Sequence, residues 1–136
     1  MNAEILLLDS GVWVATVDGE DPFGRASRAL VSDDARQVGA LDLTLYEVAN
    51  VLGSKRRRLP VATAVCRKME QRCTRRMVRA DAHLIEATAG IAFEHGLTSY
   101  DAAYVAVARR HDWTLVSTDI RDLVSQGLAI TPDAAV

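Results

Sequence analysis

Short continuous apolar runs alternate along this chain with stretches where apolar residues recur every three or four positions. "AEILLL", residues 3–8, is such a run, the pattern of a strand covered on both faces in a parallel sheet. It stops at Asp9-Ser10-Gly11. Residues 12–17 then start a helix, and "DGEDPFG" is a loop rich in turn formers. "RASRALVSD" reads as a helix of about two to three turns and "QVGALDL" as a second short strand. Thr44 opens the helix "LYEVANVLGSK", which Gly53-Ser54 stops or bends. Pro60 suits the first turn of the next helix, along which Val61, Val65, Met69, Cys73 and Met77 recur every four residues. Asp81 caps "AHLIEATAGIAFEH", Gly96 closes it, and Thr98 opens a helix through Arg110. "WTLVSTD" is a clear strand and "LAITP" a weaker last one. The alternation predicts βαβ units and a parallel sheet with helices on both faces.

In such a sheet, ligands gather beyond the carboxyl ends of the strands. Asp9 and Asp119 each terminate a strand, so both belong on that rim, and Glu47 in the first turn of the helix after "VGALDL" faces it as well. Asp101 joins them if its helix starts at the same edge. Thr44 with Glu47, and Thr98 with Asp101, also fit the capping box, in which the acid bonds back to the cap amide. Taken singly, each is more economically a cap, and each strand-end Asp a turn former. Together they are four acids from four distant segments pointing at one crevice. Unpaired, they repel and raise one another's pKa values; a divalent cation with a taste for hard oxygen ligands, Mg²⁺ or Mn²⁺, removes the conflict.

Charge sharpens this picture. Over the 136 residues the net charge is −2, yet residues 55–79 carry ten of the sixteen Lys and Arg and a single acid, Glu70, so that segment is +9 and the remainder −11. A dense basic stretch in an acidic chain suits either a solvated helix face or a polyanionic partner. Cys66 and Cys73 lie two helical turns apart, too far for a disulfide, and read as small apolar residues. His83, His95 and His111 are scattered and read as structural or surface residues. No apolar run reaches the roughly 18 residues that span a bilayer, and no basic leader precedes an apolar stretch, so the expected setting is cytoplasmic with no membrane partner.

"LLLDSGVWVA", "TLYEVANVL", "LTSYDAAYVAVAR" and "LVSTDIRDL" stand in the order and spacing of the PIN domain, and the chain resembles the VapC toxins of bacterial toxin–antitoxin pairs over nearly its whole length. The resemblance implies a single PIN-like domain, residues 1–136, folded as a three-layer α/β/α sandwich around a central, mostly parallel sheet. It implies an acidic quartet of Asp9, Glu47, Asp101 and Asp119, with Asp122 in reserve, supported by the hydroxyls of Ser10 and Ser117. It also implies a cognate antitoxin whose tail occupies the acidic groove, and commonly a homodimer. "VWVA" and the 59–77 helix are the pieces expected to carry the apolar contact surface. One position departs from the pattern: Gly11 stands where the family usually has Asn or Ser, which removes a side chain that would orient Asp9.

The expected activity is endonucleolytic cleavage of RNA by metal-activated water. Asp9, Asp101 and Asp119 hold one or two ions, and Glu47 completes the cluster or positions the water as general base. Arg56, Arg57 and Arg58 in the basic segment are the candidates for binding substrate phosphates. Aromatic residues are few, so the reading favours a structured RNA recognised by shape over a stacking platform for single strands. A phosphorylated receiver domain is a competing class, but its late-strand lysine is missing, since the lysines are Lys55 and Lys68. A haloacid dehalogenase-type phosphatase needs Asp two residues after its nucleophile, and Gly11 sits there. An RNA-processing PIN nuclease without an antitoxin, or a non-catalytic RNA-binding module on the same fold, remain the alternatives.

Overall fold

The computed structural model describes residues 4–136, so Ala3 of the first strand run lies outside the described residues. Four strands, β1 (Ile5–Leu8), β2 (Gln37–Leu41), β3 (Met77–Val78) and β4 (Thr114–Val116), form one sheet in the order β3-β2-β1-β4. Every pairing is parallel, with Leu7 opposite Gly39 on one side and Leu115 on the other.

Side-chain alternation along the strands divides the core into two layers. Leu6 and Leu8 of β1, Val38 and Ala40 of β2 and Val116 of β4 face one apolar cluster; Leu7, Leu41 and Leu115 face the other. The first layer is covered by α1 (Ser10–Ala15), α2 (Gly24–Ser32) and α4 (Leu59–Cys73), and Trp13 is fully buried within it. The second is covered by α5 (Ala82–His95) and α6 (Ser99–His111), which pack as an antiparallel hairpin with Arg110 beside Asp81. Both faces of the short central strand are therefore buried, which is why its sequence is uniformly apolar. The result is the three-layer α/β/α sandwich that the sequence predicts.

Several local expectations change. The helix α3 (Leu43–Val48) starts one residue before Thr44 and loosens at Ala49 into a π-helical stretch, Ala49–Lys55, that runs straight through Gly53. Chain reversal comes later, at Arg57, with φ 54°. Met77 is not the last position of the α4 stripe: Thr74 turns the chain with φ 43°, and Met77 enters β3. "LAITP" reduces to a bridge from Ile130 to Val116 before the last short helix, α7 (Pro132–Ala135). Other signals hold where they were read. Pro60 lies in the first turn of α4, Asp81 accepts from the Leu84 amide, and Gly96 leaves α5 at φ 66°.

The basic segment is partly structural. The Arg72 guanidinium donates to the carbonyls of Val31 (2.6 Å), Asp33 (3.0 Å) and Arg36 (3.1 Å), while Arg76 donates to Val38 O at 2.8 Å. These two side chains bind the exposed end of α2 and the edge of β2 to α4. "VWVA" is interior rather than surface, because Val12, Trp13, Val14 and Ala15 are all buried.

Candidate active site

Asp9 ends β1 and caps α1, accepting from the Val12 amide at 3.2 Å. It is 7% exposed. Burial raises its pKa to about 7, against hydrogen bonds from Ser117 and Val12 that favour the carboxylate; Glu47 and Asp101 raise it further. Burial likewise raises Asp101, with Asp119, Glu47 and Asp122 adding to the shift. Carboxylates of four separate elements thus act on one another, Asp9 with Glu47 and Asp101, and Asp101 with Glu47, Asp119 and Asp122. Carboxylate oxygens of Asp101, Asp119 and Asp122 lie within 4.8 Å of one another. No histidine or cysteine joins that trio, and among the described residues none of Asp9, Glu47, Asp101 and Asp119 forms a salt bridge.

The two capping boxes resolve differently. Thr98 caps α6, its hydroxyl accepting from the Asp101 amide at 3.1 Å, and a hydrogen bond with Thr98 also favours the Asp101 carboxylate. Thr44 caps nothing. It is fully buried, and its hydroxyl meets the Tyr104 hydroxyl at 2.7 Å. Tyr104 in turn donates to Glu47 Oε1 at 2.5 Å, so the proton on Thr44 is the one shared between the two hydroxyls. Glu47 is thereby held by a tyrosine from α6, one turn beyond Asp101; burial, with Glu47 beside it, pushes the Tyr104 pKa well above its usual value. Sequence reasoning missed this chain. The available signal was a tyrosine amid the apolar run "AAYVAVA" of α6, whose hydroxyl needs a partner when buried.

Asp119 sits on the turn after β4. Its amide donates to Ser117 Oγ at 2.9 Å and its carboxylate accepts from the Asp122 amide at 2.9 Å, which opens the π-helical turn Ile120–Val124. Ser117 is fully buried and serves both Asp9 and Asp119, whereas Ser10 is the half-buried first residue of α1. The departure at Gly11 has a steric cause. A Cβ there would overlap the Thr118 hydroxyl and would itself lie 3.4 Å from Asp9 Oδ1. Thr118 therefore occupies the place of the side chain that residue 11 lacks.

Arg56, Arg57 and Arg58 are exposed and stand apart from the acids. Arg56 bonds Asp18, beyond the far end of α1, at 3.2 Å, and about nine residues of helix at ~1.5 Å each separate it from Glu47. Cys66 and Cys73 are free; burial lifts the Cys73 thiol to about 12. A pocket lined by Leu43, Tyr46, Glu47, Asn50 and Tyr100 opens beside Glu47.

The carboxylate trio and the acids beside it fit a hard divalent cation: the donors are oxygens, they are close together, and among the described residues only Asp122 of them pairs with a cation, Arg121 at 3.9 Å. The PIN domain model matches residues 6–124. Ribonuclease VapC3 of Pyrobaculum aerophilum is 30% identical over 118 residues, 84% of this chain and 88% of that protein. The crystal structure of PAE2754 from the same organism superposes with a TM-score of 0.69 at 26% identity, covering 98% and 95% of the two chains. A toxin–antitoxin complex from Klebsiella pneumoniae gives the same TM-score at 18% identity, with 93% and 97% covered. The chain thus belongs to the PIN-domain family, in its VapC branch.

Proposed function

We propose that this protein is a metal-dependent endoribonuclease, the toxin of a VapBC-type pair, with Asp9, Glu47, Asp101 and Asp119 as its catalytic acids and Asp122 as an auxiliary ligand. The observation that carries the reading is the meeting of these acids, drawn from four elements, of which only Asp122 pairs with a cation among the described residues, Arg121 at 3.9 Å. Asp9, Asp101 and Asp119 would hold Mg²⁺ or Mn²⁺, with Asp122 within reach of the last two. The ion supplies charge neutralisation at the scissile phosphate and a more acidic bound water. Glu47, fixed by Tyr104, is the base that orients the attacking water and takes its proton. Ser117 keeps Asp9 and Asp119 in register.

Substrate enters against an acidic crevice, so phosphates away from the cut need positive charge. The exposed Arg56–Arg58 corner is our candidate, reached by RNA that extends along α3. A structured RNA that presents one exposed stretch suits this layout. The antitoxin is assigned to the same groove, competing with RNA. The homodimer contact is assigned to the exposed apolar stripe Ile85, Ala89 and Phe93 on α5, with Phe93 92% exposed. The deciding experiment measures RNA cleavage with Mg²⁺ or Mn²⁺ by the wild type, Asp9→Asn and Asp101→Asn. Both variants should stay folded and lose at least 100-fold in rate, and chelation should silence the wild type. Undiminished cleavage by either variant rejects the site.

A further inference from the structure

We infer that the pocket beside Glu47 is a nucleobase subsite, in which Tyr46 and Tyr100 stack on an unpaired base next to the cleaved phosphate and Asn50 bonds its edge. This rests on the nuclease reading and names what that site takes: RNA that offers a single-stranded nucleotide at the cut. Tyr46 is 79% exposed and Tyr100 62%, a large aromatic surface left open to solvent. They come from different helices, α3 and the first turn of α6, yet line one cavity of about 290 Å³ together with Glu47 and Asn50. The cavity lies at the lower end of the small-ligand range, suited to one nucleoside rather than a polypeptide segment.

Position decides the occupant. Tyr46 directly precedes Glu47, and Tyr100 directly precedes Asp101. A base is joined to its own phosphate through one sugar, so a base seated between these rings leaves its phosphate among the acids. The two rings do not stack on each other, since the stacked aromatic pair among the described residues is His111 with Trp113. Their π-faces remain available, and stacking on any base is sequence-tolerant. The Asn50 amide, exposed on the same helical stretch, supplies a donor and an acceptor for a base edge. The scarcity of aromatics in the chain had argued against a stacking platform. The fold collects two of its three tyrosines at the one place where a platform is useful.

The test uses the full-length protein with Mg²⁺ and a pentaribonucleotide carrying 2-aminopurine, compared with the same oligonucleotide carrying one abasic residue. The wild type should quench the fluorophore on binding. Tyr46→Ala and Tyr100→Ala, both surface changes, should each weaken binding roughly 5- to 150-fold, the equivalent of about 1–3 kcal/mol of stacking, and this loss should vanish with the abasic ligand. Unchanged affinity, or an equal loss on the abasic ligand, overturns the subsite. So does a fall in sedimentation coefficient of the tyrosine variants, which makes the pocket a contact between copies. Failure of the nuclease reading looks different: the wild type then quenches and binds but cuts no RNA.

Discussion

Asp9 shows how one buried carboxylate couples stability to chemistry. Its ordinary pKa is 3.8 and the folded value is about 7, so the folded state keeps a proton that the unfolded chain releases first. Folding therefore takes up a proton between about pH 4 and 7, and metal-free stability falls as pH rises through that window. Asp9→Asn keeps a good helix cap and removes the buried charge. Its melting temperature in EDTA at pH 8 should exceed the wild type's, while cleavage is lost; a lower melting temperature would show that the charge is not strained. Gly11 and Thr118 form a second residue-scale unit. Gly11→Ser should destabilise by about 1–3 kcal/mol through overlap with the Thr118 hydroxyl, and Thr118→Ala should return much of that loss. Additive denaturation midpoints in the double variant would refute the steric link.

At the scale of elements, the arginines of residues 55–79 divide by role. Arg72 ties the carbonyls behind α2 to α4, so Arg72→Ala should cost about 2–4 kcal/mol in chemical denaturation. Reversing Arg56, Arg57 and Arg58 to Glu should cost little stability but flatten the salt dependence of RNA binding; an unaltered slope puts the phosphates elsewhere. Composition cannot separate these roles, because a guanidinium serves carbonyls and phosphates alike. Strands β1, β2 and β4, most helices and three of the four candidate acids were legible from apolar runs and element ends; the two-residue β3 was not, because Met77 falls in step with the α4 stripe. Asp101 was less so, because it depends on α5 and α6 folding as a hairpin that no local pattern specifies. Thr44 was misread for a related reason: a Thr three residues before an acid has one local meaning, and the tertiary partner Tyr104 supplied another.

Across the whole molecule, the sheet sets the geometry and the crevice lies where its two helical layers part. Strand order β3-β2-β1-β4 sets Asp9 on the central strand between β2, which leads to Glu47, and β4, which leads to Asp119. No helix among the described residues is long and apolar enough to cross a membrane. The hydroxyl chain Thr44–Tyr104–Glu47 spans this gap, joining α3 to α6 over the end of the sheet. Tyr104→Phe should therefore lower kcat with KM nearly unchanged, and equal kinetics would dismiss its positioning role. The same bridge makes the protein its own gauge of loading. A phenolic proton locked between two oxygens, 2% exposed to solvent, should resonate far downfield and exchange slowly. Its frequency should then move as Glu47 trades electron density with whatever arrives in the cleft, a signal readable without any substrate at all.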